Sequence, residues 1–234
     1  MLNKEDAGIV RALAGRFYWL GLLGPVVTLG CALLAASVFE DSRGRGYSPL
    51  VHWISDLGHH GISPWASIFN AGMITGAFML GSFTVWTCLL LRSKVGYAVA
   101  FMGVVATVGM AFVGVFPDGG GTPLYHDMSG AAGFIGISGL GASFCLFVLI
   151  VEQDLLPKWL FFPSLLSSVC SGIFVALVTA NRTGLVSWSS LQWIATDGRP
   201  VVRLIPLFEW LGFLSVFLWS FLAAWTLRAR RLTF

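Results

Sequence analysis

Long apolar runs alternate with short polar segments along nearly the whole chain. Six of these runs reach the roughly 20 residues that a helix needs to cross the apolar core of a bilayer. They cover about residues 17–39, 67–91, 95–116, 128–151, 159–180 and 206–226, and charged residues, proline or glycine mark their ends. The pattern therefore predicts an all-α, polytopic six-helix transmembrane bundle, with residues 1–234 forming one transmembrane domain.

The composition supports a lipid environment. Hydrophobic residues make up 56% of the chain and charged residues 11%, whereas roughly 25% of an average soluble protein is charged. The mean hydropathy of +0.82 also indicates that lipid surrounds most of the chain. The net charge of +3 comes from basic residues that form no stripe, which argues against a nucleic-acid partner.

Lysine and arginine in the connections predict the orientation, because short cytoplasmic loops carry an excess of both. With the N-terminus inside, nine basic residues fall on the inner side and five on the outer side. The inner ones are Lys4, Arg11, Arg16, Arg92, Lys94, Lys158, Arg228, Arg230 and Arg231; the outer ones are Arg43, Arg45, Arg182, Arg199 and Arg203. This distribution predicts that both termini lie in the cytoplasm of a cell whose membrane the chain crosses.

The predicted connections differ in length between the two sides. The inner ones, 92–94 and 152–158, are tight turns, so spans 2 and 3 and spans 4 and 5 should form antiparallel hairpins. The outer ones, 40–66, 117–127 and 181–205, are longer and more polar. Connections longer than a turn requires often carry function.

Histidine and aspartate gather in these outer connections. All four histidines lie there, in motifs over 52–61 and 116–127 that precede spans 2 and 4. The candidate side chains in the two motifs are His52, Ser55, Asp56, His59, His60, Asp118, His126 and Asp127. Because the hairpins bring the spans together, we expect these side chains to converge at the outer mouth of the bundle.

Three kinds of chemistry fit these residues. His59, His60, His126 and Asp118 could hold a metal such as zinc, although their spacing matches no standard motif. Alternatively, a catalytic set of Asp56, His59, His126 and Asp127 could work by acid–base chemistry, with a carboxylate orienting a histidine and Ser55 or water as the nucleophile. In the third interpretation, the polar side chains only satisfy the backbone of turns and helix ends.

Two further charges lie at the outer ends of predicted spans. Arg182 ends span 5, and Glu209 lies about one turn into span 6. They could form an ion pair, or Arg182 could hold a lipid phosphate by paired hydrogen bonds. With His52, Ser55 and Asn70, these two residues form the predicted substrate-binding set.

Glycines line two of the predicted spans. Gly72 and Gly76 in span 2, and five glycines between 130 and 141 in span 4, let helices approach closely in lipid. They predict either a tightly packed bundle or a dimer face.

Two segments resemble a known family. Ser55-Asp56-Leu57-Gly58 with the following 63–72 is similar to the first outer loop and second span of the domain of unknown function 998 family. Residues 113–118 and His126 are similar to its third and fourth spans. The resemblance covers about 20–225, and the matching positions are Ser55, Asp56, Asn70, Pro117 and His126.

The resemblance implies six spans and a polar outer site, and it extends to the DRAM, Frag and Sfk group, which is linked to lipid handling. The leading functional prediction is a pocket that binds or processes a lipid or other amphiphile at the outer leaflet, with membrane lipids as partners. If the protein is an enzyme, we expect a hydrolase or transferase acting on a lipid-like substrate. The alternatives are a non-catalytic accessory or scaffold subunit of a larger membrane complex, or a small transporter. Besides lipids, the predicted protein partners are a larger membrane complex or further copies of this chain in a homo-oligomer.

Overall fold

The computed structural model describes residues 4–91, 94–119, 121, 123–150, 157–194 and 200–231. Six helices dominate it, and all six are long and apolar enough to cross a membrane. They are α1 (Lys4–Ser37), α2 (Ala66–Leu91), α3 (Lys94–Val115), α4 (Pro123–Ile150), α5 (Phe161–Arg182) and α6 (Leu204–Arg231). The prediction of a multi-pass six-helix bundle is confirmed. Its cellular membrane and the cytoplasmic location of its termini stay predictions.

The boundary difference that affects the candidate site residues is at the start of α4. It begins at Pro123, five residues before the predicted start of span 4. Proline suits the first position of a helix because its fixed backbone angle is helical and its missing N–H would be unpaired there anyway. As a result His126 and Asp127 lie within the first five residues of α4. Both were predicted to lie in the preceding loop.

The helices form a closed ring in chain order. Each packs against the next, α6 returns to α1, and α4 also contacts α6. The apolar core has two levels, one around Phe69, Phe134 and Phe213 and the other around Phe83 and Phe144. The tight inner turns predicted at 92–94 and 152–158 lie largely outside the described residues.

Glycines bring neighbouring helices into backbone contact. A Cβ atom on Gly109 of α3 would overlap the backbone of Gly133 on α4, and one on Gly136 would overlap Ala106. Gly72 and Gly76 of α2 lie against the side chains of Cys31 and Thr28 of α1. These glycines therefore serve packing within the chain, which was one of the two predicted uses.

The end of the bundle that carries the α1–α2, α3–α4 and α5–α6 connections is called the polar end below. The α1–α2 connection contains a 3-10 helix, Ile54–Gly58. The α5–α6 connection contains a 3-10 helix, Trp188–Leu191, and an antiparallel pair of short strands, β1 (Gln192–Ile194) and β2 (Pro200–Arg203). The strand pair was not predicted, although aromatic and β-branched residues flank an Asp-Gly pair at 197–198.

Backbone and side-chain hydrogen bonds attach the α1–α2 connection to the start of α6. The N–H of Arg203 donates to the carbonyl oxygen of Leu50 at 2.7 Å. Trp210 Nε1–H donates to the hydroxyl of Tyr47 at 2.7 Å, and that hydroxyl donates to the carbonyl oxygen of Trp53 at 3.0 Å. These bonds hold the 3-10 helix Ile54–Gly58 over the end of the bundle.

Candidate functional site

A cavity of about 300 Å³ opens at the polar end of the bundle. Its lining comes from the 3-10 helix Ile54–Gly58, both ends of the α3–α4 connection, the end of α5 and the first turns of α6. The predicted site residues in the lining are Ser55, Asp56, Asp118, His126, Asp127, Arg182 and Glu209. The structure thus gathers most of the residues that were expected to converge.

Glu209 is the most deeply buried charged group of this cavity, with 4% of its surface exposed. It lies on the second turn of α6. Its Oε2 accepts a hydrogen bond of 2.8 Å from the N–H of Ile54, which is the first residue of the 3-10 helix. Within the described residues, the other oxygen, Oε1, makes no hydrogen bond. Glu209 therefore connects α6 to the α1–α2 connection and still has an acceptor available at the cavity.

Asp56 also lines the cavity, and its side chain caps the start of the same 3-10 helix. Its Oδ2 accepts a hydrogen bond of 2.9 Å from the N–H of Trp53. Burial raises the pKa of Asp56 above its ordinary value, and the hydrogen bond from Trp53 opposes this shift only in part. The neighbouring Asp118 raises the pKa further, so the local environment disfavours the charged form of Asp56.

The surroundings of His126 determine which of its ring nitrogens carries the proton. Its Nδ1 lies 2.8 Å from the carbonyl oxygen of Phe116, which can only accept a hydrogen bond. Nδ1 must therefore carry the proton, and in the neutral ring Nε2 has a free lone pair. Within the described residues, no hydrogen bond involves Nε2. The imidazole is therefore held in one orientation with a basic nitrogen to spare.

Arg182 and Asp127 form an ion pair across α4 and α5. Arg182 Nη2 lies 2.7 Å from Asp127 Oδ1, and both side chains are partly exposed. This pairing replaces the predicted ion pair between Arg182 and Glu209, because the end of α5 lies beside the first turn of α4.

Four predicted site residues, His52, His59, His60 and Asn70, are absent from the cavity lining. His52 is buried in the α1–α2 connection, where its Nδ1 accepts from the N–H of Ser48 at 3.0 Å and its Nε2 lies 3.4 Å from Asp41 Oδ2. Asn70 Nδ2–H donates to the carbonyl oxygen of Gly58 at 3.1 Å. Both therefore stabilise the connection and do not face the cavity.

The doubled histidine lies outside the cavity for a different reason. His59 Nδ1 accepts a hydrogen bond of 3.0 Å from the N–H of Gly61, and its ring lies against Gly119. His60 is exposed. His59 therefore contacts the α3–α4 connection from outside the cavity.

The zinc prediction concerns His59, His60, His126 and Asp118. Across the described ranges, which include His59, His60, His126 and Asp118, the structure contains no cluster of three or more His, Cys, Asp or Glu side chains at metal-binding spacing. One ring nitrogen of His59 is bonded to Gly61, and one of His126 is bonded to Phe116. Zinc binding stays a prediction without a matching set of ligands.

Aromatic side chains form much of the apolar wall, which sequence reasoning missed. Trp53 makes edge-to-face contacts with Trp188 and Phe174, with ring centroids 5.9 and 6.1 Å apart. Phe134 lies 4.1 Å from Phe174 and 5.5 Å from Phe213, again between centroids. Hydropathy places such residues in or near the membrane, but it does not tell which of them face one another.

Comparison with known proteins identifies the family. A family model described as "Protein of unknown function (DUF998)" matches residues 23–226. The chain belongs to the DUF998 family. No curated protein and no solved structure matches the chain. The predicted relation of this DUF998 protein to the DRAM, Frag and Sfk group stays a prediction.

Membership of the DUF998 family does not identify an activity for the cavity, because the family is described as having an unknown function. Of the positions that carry the resemblance, Ser55, Asp56 and His126 line the cavity. Asn70 supports the 3-10 helix from behind. The function of the cavity must therefore be argued from its own geometry.

Proposed function

We propose that this DUF998 protein binds a lipid or other amphiphile in the cavity at its polar end, which we place at the outer leaflet. The observation that carries the proposal is the division of the cavity into an apolar aromatic wall and a set of carboxyl, imidazole and guanidinium groups. A volume of about 300 Å³ lies at the lower end of the range typical of ligand sites. It suits a headgroup and the first part of an apolar chain.

The position of the cavity supports an amphiphile over a fully polar ligand. It lies at the ends of the spans, where the headgroups of a bilayer meet its acyl chains. The rings of Phe134, Phe174 and Phe213 offer apolar surface within the bundle, while Asp127 and Arg182 lie at the partly exposed rim. An amphiphile would match both surfaces without moving far from the membrane.

A chemical step on the bound ligand is a second candidate, favoured by His126. The bond from Nδ1 to Phe116 leaves Nε2 free to accept a proton from water or from the Ser55 hydroxyl, which also lines the cavity. A hydrolase or transferase would use this base. Replacing His126 with glutamine should then abolish turnover while ligand binding persists.

Filling the cavity tests the binding proposal. Gly130 of α4 lines the cavity, and a Cβ atom there would meet no other atom within 4 Å. Gly130→Leu should therefore occupy ligand space without disturbing helix packing. Gly30 of α1 is equally open but lies outside the lining, so Gly30→Leu is the matched control.

The measurement is the lipid retained by protein purified from its expression membrane, quantified by mass spectrometry. We expect wild type and Gly30→Leu to retain the same lipid, and Gly130→Leu to retain it at least about tenfold less. Equal retention by Gly130→Leu would contradict the proposal. It would favour a scaffold role, which a stably co-purifying membrane partner would then support.

A further inference from the structure

We infer that the headgroup recognised by the cavity is an organic ammonium, so that the ligand is a cationic or zwitterionic amphiphile. This inference rests on the proposed function and names its ligand class. It comes from three features of the same cavity: its balance of charged groups, the aromatic wall, and the Glu209 oxygen that has no hydrogen-bond partner among the described residues.

The charged groups of the cavity are mainly acidic. Four carboxyl groups line it, on Asp56, Asp118, Asp127 and Glu209. Among the described lining residues, Arg182 supplies the guanidinium, and that group is already paired with Asp127. An anionic headgroup would therefore meet like charges and would have to displace an existing ion pair. A cationic headgroup would meet complementary charges, and it would also favour the charged form of Asp56, which the cavity alone disfavours.

Glu209 specifies where the positive group should bind. It is 96% buried, since 4% of its surface is exposed, and its Oε2 is bonded to the N–H of Ile54. Within the described part of the chain, Oε1 has no hydrogen-bond donor. A buried carboxylate is costly unless a cation or a donor is supplied. An ammonium group of the ligand would supply both charge and, when it carries N–H, a donor.

The aromatic wall favours the same ligand. An ammonium group is attracted to the face of an aromatic ring, most strongly to tryptophan. Trp53, Trp188 and Phe174 meet edge to face in the lining, so their rings point in different directions around one part of the cavity. Carboxylates and ring faces together recognise an ammonium group, whereas a phosphate or sulfate would gain from neither.

The test compares decyl compounds that differ in their headgroups. Decyltrimethylammonium, decylammonium, decyl sulfate and decyl maltoside are titrated into purified full-length protein below their micelle concentrations, by calorimetry. Tetramethylammonium serves as the probe without an alkyl chain. We expect both ammonium compounds to bind at least about tenfold more tightly than the sulfate and the maltoside. Binding counts as cavity binding when Gly130→Leu reduces it and Gly30→Leu does not.

Glu209→Gln tests the residue that carries the inference. Glutamine can still accept the hydrogen bond from Ile54 but has no charge, so the fold should persist. We expect a loss of about tenfold in ammonium affinity and little change for the maltoside. Glu40→Gln is the matched control, because Glu40 is exposed and lies outside the cavity lining.

The outcomes separate the two proposals. Equal or tighter cavity binding of decyl sulfate, or an unchanged ammonium preference in Glu209→Gln, would overturn the headgroup inference and leave amphiphile binding intact. Failure of every decyl compound to bind in a Gly130-dependent way would overturn the proposed function. Tetramethylammonium binding as tightly as decyltrimethylammonium would support the headgroup and contradict the need for an apolar chain.

Discussion

At the scale of single residues, His59 and Gly119 lie outside the cavity lining but contact each other. Gly119 has a positive φ of 75°, a conformation that residues with a Cβ atom rarely adopt. A Cβ atom there would also overlap the ring of His59. Glycine is therefore required twice over at this position, and His59 acts as a contact between the α1–α2 and α3–α4 connections.

Gly119→Ala should destabilise the protein more than Gly121→Ala does. Gly121 has a similar φ of 79°, but a Cβ atom there would meet nothing within 4 Å. Gly121→Ala should therefore cost only backbone strain, about 1 kcal/mol, while Gly119→Ala should cost a further 1–3 kcal/mol, roughly, for displacing His59. Thermal unfolding of the purified variants measures the difference. Equal effects, or no recovery when His59→Ala is added to Gly119→Ala, would contradict this account.

The sequence predicts the site residues unevenly, because local motifs do not reveal long-range partners. His126 and Asp56 were predicted from their motifs and do line the cavity. His52 is also a histidine at the polar end of the bundle, like His126. It does not line the cavity, because it packs against Tyr47 and Asp41 of its own connection. The partner of Arg182 depended on how α5 lies beside α4, which no pattern within either helix specifies.

At the scale of elements, the six spans were predictable because a helix in lipid must satisfy its own backbone groups, so each apolar run has one available structure. The residues at which the helices begin and end were less predictable. The early start of α4 depends on Pro123, which reads equally well as a loop residue in the sequence. The α1–α2 connection was predicted as polar and functional, but its 3-10 helix depends on hydrogen bonds that Glu209 and Asp56 accept from the N–H groups of Ile54 and Trp53.

This connection should respond to pH through two carboxyl groups of opposite behaviour. The Arg45 guanidinium beside Asp41 holds the pKa of Asp41 well below its ordinary 3.8, whereas burial raises the pKa of Asp56 above 3.8. Asp41 therefore contributes stability above pH 3.8 that is lost as the pH falls towards its lowered pKa. Asp56 costs stability as the pH rises from 3.8 through its raised pKa.

Asparagine variants should show these opposite slopes. Relative to wild type, Asp41→Asn should become more destabilised as the pH rises from about 3 to 7, and Asp56→Asn should become relatively more stable over the same range. Thermal unfolding across this range, with the pH-independent offset of each variant subtracted, gives the slopes. Parallel slopes for the two variants would rule out the assigned pKa directions.

At the scale of the whole molecule, the ring of six helices separates two ends of different character. The polar end carries the cavity and the longer connections, while the opposite end carries a second apolar core around Phe83 and Phe144. Hydropathy alone predicts both ends as equivalent. The difference comes from the positions of charged residues, and it is the basis for expecting a ligand site at one end.

The predicted orientation can be measured by labelling single cysteines in intact cells. In a background where the native cysteines are replaced, Ser189→Cys at the polar end should react with a membrane-impermeant maleimide, because Ser189 is exposed. Thr233→Cys near the C-terminus should react only after the cells are permeabilised. The reverse pattern would place the cavity on the cytoplasmic side and would require the proposed ligand to come from the inner leaflet.

The attachments between the α1–α2 connection and α6 have a mechanical consequence. Leu50, Ile54 and the Tyr47 hydroxyl are each bonded to a different residue in or next to the first two turns of α6. The start of α6 and the 3-10 helix Ile54–Gly58, which lines the cavity, are therefore held together. A shift of α6 along its axis would move the cavity wall that the α1–α2 connection supplies. Any displacement of α6 would then reach the cavity through these three hydrogen bonds.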